Sequence, residues 1–469
     1  MSTAAQEFQA KAAEKSGDLV HRRKIQNAIA SYNVAVARGQ SRFADWEEAR
    51  RRCAAAKYEA VNHLDKYLLE FEQKVKDRGG HVFWAADAEE ARRYICDLAK
   101  ARRVHRVVKS KSMVTEEIHL TPAMEKLGIE VLETDLGEFI VQLRNEPPYH
   151  IVTPAMHLSR AEIAQLFREK LEGVTSDDPT ELVGVARRTL RKAFFAADMG
   201  ISGANFLVAD TGMISITTNE GNGRLTTALP RIHVAVVGIE KVVPRMADLA
   251  VLWPTLATAG TGQHLTTYNT MIGGPRQPGE MDGPEEFHVV LLDNGRTRLL
   301  ADAEQREVLH CIRCGACLNA CPVYRNIGGH TYGTIYGGPI GSVLTPHLRG
   351  LNEYQHLSYA SSLCGNCTEV CPVEIKLHDH LLQNRRDAVR HAHRPWTERL
   401  GFRLWRWLMM GGTRFRILGR FARWFLRTLR AMGLRGTAAD PLMIWEEYRT
   451  APDLSQQSFR EQWRKLNAR

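Results

Sequence analysis

Seven of the nine cysteines fall between residues 311 and 371, and their spacing is the strongest chemical signal in the chain. Residues 311–322 read Cys311-Ile-Arg-Cys314-Gly-Ala-Cys317-Leu-Asn-Ala-Cys321-Pro322. Three thiolates at intervals of three can wrap one face of an iron–sulfur cube, and a fourth, carried forward before a proline, points toward a second cube. Zinc sites space their cysteines in separated pairs, which four cysteines in a single run do not match. A second copy follows as Cys364-Gly-Asn-Cys367-Thr-Glu-Val-Cys371-Pro372. Counted back from each Cys-Pro, the positions of Cys317, Cys314 and Cys311 correspond to Cys367, Cys364 and Ser361. Crossing the last ligands, as two-cluster ferredoxins do, assigns Cys311, Cys314, Cys317 and Cys371 to one complete site. Cys321, Cys364 and Cys367 are left for the other. That site takes a three-iron cluster or a four-iron cluster with a non-cysteine ligand, for which Ser361, Ser362 and water are candidates. In the plainest alternative Ser361 is a spectator. Cys53 and Cys96 lie in helical patterns and read as buried thiols.

Two clusters in one small module suit a wire, and a wire needs a rigid frame. The 469 residues suffice for about three domains at ~150 residues each. A 44% apolar and 25% charged composition excludes a disordered, collagenous or disulfide-stapled chain. Residues 1–78 read as helix, with Leu64, Tyr67, Leu68 and Phe71 on one face. From Gly79-Gly80 to residue 297, strand-like runs alternate with helical ones, which predicts βαβ units around a largely parallel sheet. Strands are expected at 81–84, 104–108, 129–132, 206–209, 213–216, 232–237 and 288–292, with helices at 87–101 and 114–127. The cysteine module spans 298–384, where Tyr324, Tyr332 and Tyr336 among glycine turns are expected to pack over the clusters. Residues 385–469 form a basic helical end.

Three polar constellations would sit beyond the carboxyl ends of strands, where open α/β sheets bind ligands. They are Lys109-Ser-Lys111-Ser, Asp135-Leu-Gly-Glu138, and the loop running from Asn219 and Glu220 through Asn222 to Arg224. Lys109, Lys111, Asp135, Glu138, Asn219, Glu220, Asn222 and Arg224 are therefore the candidate ligand pocket, with Arg224 expected to grip an anion. Asn-Gly pairs also form turns without any ligand. No dinucleotide fingerprint or phosphate loop is present.

The net charge of +10 traces to one strip: ten arginines between Arg399 and Arg435, with no acidic residue among them. From Phe415, the apolar series Leu418, Ala422, Phe425, Leu429 and Met432 advances by threes and fours. Arg416, Arg420, Arg423, Arg427 and Arg430 follow a second face. Three readings stand: docking on an acidic partner, cover for the protein's own core, or contact with an anionic membrane surface. Nucleic-acid binding is not expected, since no reading motif accompanies the charge. The polar opening and the absence of a long apolar stretch predict a cytoplasmic protein, with peripheral contact at the inner face of the membrane as the one exception.

Taken together, these stretches resemble the lactate-utilization B protein family, iron–sulfur proteins of bacterial lactate oxidation. The resemblance rests on residues 109–117, 133–138, 203–212, 218–224 and both cysteine motifs, and covers residues 20 to 460. It implies an α/β domain like that of CoA transferases and ribose-phosphate isomerases, joined to a ferredoxin-type domain with two clusters and to helical termini. It also implies work in a complex that oxidises L-lactate to pyruvate, beside a cysteine-rich redox subunit and a second α/β subunit, with this chain carrying electrons. Lactate enters through the resemblance alone. From the residues themselves, two further functions remain: a self-contained enzyme using the α/β pocket for acyl or sugar-phosphate chemistry, and a cluster-based redox sensor.

Overall fold

The computed structural model describes residues 2–391, 396–434, 436–437, 440–443, 449, 455 and 457–467. The chain divides into two compact units at residues 392/393. The first opens with helices Thr3–Gly17, Leu19–Gln40, Trp46–Asn62 and Leu64–Asp77. Asp18 and Asp45 cap two of them by accepting from the backbone amides of His21 and Glu48, three residues on. On the fourth helix Leu64, Tyr67, Leu68, Phe71 and Val75 are all buried, as their spacing requires, against Leu207, Val237, Phe287 and Leu291 of the sheets. Gly79 closes this helix at φ +82°, and a Cβ on Gly80 would stand 2.6 Å from Val75 Cγ1.

The strands are β1 His81–Ala85, β2 Arg106–Lys109, β3 Glu130–Glu133, β4 Met199–Ser202, β5 Phe206–Val208, β6 Met213–Thr218, β7 Ile232–Gly238, β8 Val242–Val243, β9 Tyr268–Ile272 and β10 Glu286–Leu292. Six make one sheet in the order β1-β10-β7-β4-β2-β3, and every neighbouring pair in it is parallel. The seven residues of β7 are all buried, as a strand covered on both faces demands. The other four form a second sheet, β8-β5-β6-β9, in which β5/β6 and β6/β9 are antiparallel.

That second sheet departs from the expected alternation. Only four residues separate β5 from β6, and a parallel crossover needs about a dozen, so the pair closes as a hairpin. The expected helix at 114–127 is likewise two pieces, Met113–Glu117 and Leu120–Glu125, parted at His119 with φ +50°.

The cysteine module is a set of short helices: Ala316–Ala320, Pro322–Ile327, Gly338–Arg349, Leu351–Tyr359, Asn366–Glu369 and Leu377–His391. Its apolar side chains share one core with the N-terminal helices through Ile25, Ile29 and Cys53, and with helix Leu249–Thr261 through Leu252 and Leu256. Cys53 is fully buried there and Cys96 half-buried on helix Ala88–Ala101.

The second unit contains helices Trp396–Met409, Gly412–Ala431 and Phe459–Asn467. Arg420 and Arg423 pair with Glu461 at 3.6 and 3.8 Å. Of the apolar series from Phe415 to Met432, Leu429 alone is buried, while Trp405, Trp407, Phe421 and Trp424 are exposed. Arg435, the last arginine of the strip, lies outside the described residues. Among the described residues, no helix is long and apolar enough to cross a membrane.

Candidate iron–sulfur centres and an adjoining cavity

The two cysteine loops repeat in backbone as well as in sequence. Arg313 and Gly315 flank Cys314 with φ of +62° and +81°, and Leu363 and Gly365 flank Cys364 with +55° and +81°. Left-handed backbone at a non-glycine residue costs on the order of 1 kcal/mol and persists where a site requires it. In the first loop the Arg313 amide donates to Cys311 Sγ at 3.4 Å. In the second, the Leu363 amide donates to Ser361 Oγ at 3.1 Å. Ser361 therefore takes the place of the missing cysteine, and its oxygen receives the same amide as the Cys311 sulfur.

The sulfurs fall into two sets. Burial raises the Cys317 thiol well above its ordinary value, and the neighbouring Cys311, Cys314 and Cys371 raise it further. Burial likewise pushes Cys371 up to about 12, with Cys311 adding to it. Cys367 is pushed up to about 11 by burial, then by Cys321 and Cys364. Cys364 alone is exposed, and its thiol is lowered by the Asn366 amide and the Ser362 hydroxyl. Backbone amides aim at the sulfurs of both sets, Tyr324 at Cys321 (3.5 Å) and Ile375 at Cys371 (3.4 Å). Clustered soft donors, four of the seven buried and met by N–H groups, fit iron–sulfur ligation. Tyr324 and Tyr332, both buried, lie close enough to Cys317 and Cys321, one thiol from each set, to feel the charge of each.

A nest of buried charge surrounds the first set. Glu240 accepts from Arg296 Nε at 2.6 Å and meets Arg313 Nη2 at 3.4 Å. Burial alone would raise this carboxylate, but Arg296, Arg313 and Lys241 overcome it and hold it at about 2. Arg296 also grips Glu117, which accepts from the Tyr336 hydroxyl at 2.6 Å. The Lys57 ammonium, 1% exposed, donates to the carbonyls of Glu240 and Val242 at 2.6 and 3.1 Å. Burial and then Lys241 pull it down to about 7, against Glu240 and Cys311. Lys241 is 6% exposed and drawn down to about 8 by burial, then by Arg313.

Beside this nest opens a cavity of about 310 Å³. It lies beyond the carboxyl ends of β2, β3, β4 and β6, and its wall reaches Cys314, Arg313, Tyr336 and Lys241. Helix Leu249–Thr261 closes one side so tightly that a Cβ on Gly260 would stand 2.8 Å from the Cys314 carbonyl oxygen. Of the residues expected in a pocket, Lys111, Asp135, Asn219, Glu220 and Asn222 line it.

Three expected residues lie off the wall. Lys109 is 1% exposed and committed to Glu133 and to Glu116 at 2.9 Å, an internal pair of contacts that a buried ammonium needs. Glu138 is buried in the first turn of helix Leu136–Leu143, raised to about 8 by burial and by Glu133. Arg224 is two residues past Asn222 on helix Asn222–Ala228, about 200° around its axis, so one faces in and the other out. Its guanidinium lies over the Tyr268 ring at 5.3 Å. Lys241 and Arg313 escaped the sequence reading. The clue to Lys241 was a Glu240-Lys241 pair interrupting an otherwise apolar run.

Known proteins match this chain along nearly all of its length. Lactate utilization protein B from Bacillus cereus (strain AH820) is 44% identical over 453 residues, 96% of this chain and 95% of its own. The protein of that name from Bacillus anthracis (strain A0248) is 43% identical over the same span. The chain belongs to the lactate utilization protein B family. Residues 68–292 match the LUD domain, 307–375 a 4Fe-4S dicluster domain, and 383–467 the C-terminal region of lactate utilisation protein B. A solved DUF162 family protein from Deinococcus radiodurans covers 49% of this chain at 16% identity and a TM-score of 0.28. The dicluster match gives this family member two iron–sulfur clusters, the number that the two sulfur sets can hold.

Proposed function

We propose that the chain is the electron-carrying subunit of a system that oxidises L-lactate to pyruvate, delivering electrons to an acceptor outside it. Cys311, Cys314, Cys317 and Cys371 hold one four-iron cluster. Cys321, Cys364 and Cys367 hold the other, with Ser361 Oγ as fourth ligand. Ligand exchange between the two loops carries the reading: the residue before each proline stands with the other loop's thiols, as in ferredoxins built for two-centre transfer. When bound, the clusters supply one-electron steps. The chain's own residues exclude water with Tyr324 and Tyr332, direct amides at the sulfurs, and leave one edge, at Cys364, open to a partner. The partners are the family system's other subunits, a cysteine-rich redox protein and a second α/β protein. We divide the chain functionally into a helical support (1–78), the α/β domain (79–297), the cluster module (298–384) and the basic end (385–469).

The test is anaerobic purification with the co-expressed neighbouring subunits, followed by addition of L-lactate under EPR observation. Lactate-dependent reduction of both clusters supports the reading. Clusters that stay oxidised with all partners present overturn it.

A further inference from the structure

We propose that the cavity beside Cys314 binds a small 2-hydroxy carboxylate, its carboxylate on Lys241 and Arg313 and its hydroxyl on Asn222. The choice of acid rests on the lactate reading above; the site itself rests on unmet polar groups. Lys241 is more than nine-tenths buried, lines the cavity, and makes no hydrogen bond or ion pair among the described residues. Arg313 Nη1 and Asn222 Oδ1 are buried and also lack a hydrogen-bond partner. A buried ammonium without a partner is costly, and so is a buried amide. Three such groups on the wall of one cavity describe the outline of an absent ligand.

The charges decide its sign. Glu240 bonds Arg296 and Arg313, and Glu117 bonds Arg296. Glu240 and Cys311 act on Lys241 through space without a hydrogen bond or ion pair, so its N–H groups are left for the cavity. Arg313 is held in place on both sides: Nη2 by Glu240, and its guanidinium over the Tyr336 ring at 4.7 Å. The free edge of that fixed fork faces a carboxylate with little ordering left to do. The acidic groups of the wall, Asp135 and Glu220, are engaged with helix Leu136–Leu143. Asp135 accepts from the Gly137 and Glu138 amides and Glu220 from the Leu136 amide. Lys111 is tied to the Val152 carbonyl at 2.8 Å. The cavity thus has a cationic end near Cys314. Asn222 Oδ1 supplies the acceptor that a hydroxyl beside the carboxylate needs. A volume of about 310 Å³ is at the small end of ligand cavities, ~300–1,000 Å³, as a short acid with bound waters requires.

The experiment is anaerobic calorimetry on the iron-loaded full chain with L-lactate, pyruvate and inorganic phosphate, together with iron counting and EPR. L-lactate should fill one site. Lys241→Met should weaken it by about tenfold or more with iron content unchanged. Asn222→Ala should erase the preference for L-lactate over pyruvate, and it keeps the test decisive should Lys241→Met lose iron. Wild-type lactate affinity in both variants overturns the proposal, as does phosphate binding in preference to both acids. Intact, reducible clusters with no lactate heat would sink this site while leaving the electron-carrier reading standing. Clusters that do not assemble would sink that reading first.

Discussion

Ser361 and Cys311 receive the same backbone amide from the residue two positions on, so their difference is one of donor atom rather than of place. An alkoxide or hydroxyl oxygen is a harder ligand than a thiolate and holds iron less firmly. Air exposure should therefore convert the Cys321–Cys364–Cys367 cluster to the three-iron form first. Ser361→Cys should suppress that EPR signal and Ser361→Ala enlarge it; identical spectra in all three proteins would make the serine a bystander. Lys57 offers a second residue-scale test. Its ammonium, buried with Cys311 as a neighbouring charge, favours the extra electron on the adjoining cluster. A redox titration of Lys57→Met at pH 6, where the wild-type amine carries its proton, should find a lower midpoint for that cluster and an unmoved one for its companion.

At the scale of elements, His233 shows what the buried sheet demands. It sits fully buried on β7, its Nε2 2.8 Å from Ser202 Oγ on β4, and burial pulls it down to about 3. Folding thus needs the neutral ring, while the unfolded ring takes its proton near pH ~6.5. Its contribution is complete above ~6.5 and is lost as pH falls toward the folded value, by about 1.4 kcal/mol per unit. His150, His157 and His310 are also pulled down by burial, so denaturant titrations at pH 7 and pH 5 should show a steeper loss than this, and His233→Asn should remove one histidine's share of it. The long apolar strands, β7 and β10, were legible in the sequence because burial on both faces leaves a continuous signature. The helix Leu64–Asp77 was legible from its period. β4, β8 and β9 were not: Gly200 and Ser202 dilute one, two residues make up another, and Tyr268-Asn-Thr-Met-Ile272 is half polar. For the site, the cysteine spacing spoke for itself, because four thiols in one run have few other uses. Arg224 lies off the cavity wall because helix Asn222–Ala228 forms where a loop was expected, and the helix turns it outward. Arg224→Ala should accordingly leave lactate binding within calorimetric error.

At the scale of the whole molecule, the second unit exposes Trp405, Trp407, Phe421 and Trp424 on helices laden with arginine. Amphipathic aromatic rings among cations suit the headgroup region of an anionic bilayer, where each basic residue contributes about 1 kcal/mol. Full-length protein should float with phosphatidylglycerol vesicles at low salt and be released at high salt. A charge-reversed chain, Arg416→Glu with Arg420→Glu, Arg423→Glu and Arg427→Glu, should stay behind. If both remain in the dense fraction, the strip is a surface for another protein.

The exchange of thiols between the two loops also sets an order of manufacture. With ligands crossed as proposed, the exposed centre has all its protein donors once residue 367 has left the ribosome. The buried one waits for Cys371, which lies 54 residues beyond Cys317. Until then three of its sulfurs stand without their closing partner. The deeper centre is thus the last to be completed during synthesis, and a messenger cut short before that codon yields a chain whose two centres are left with three cysteines each.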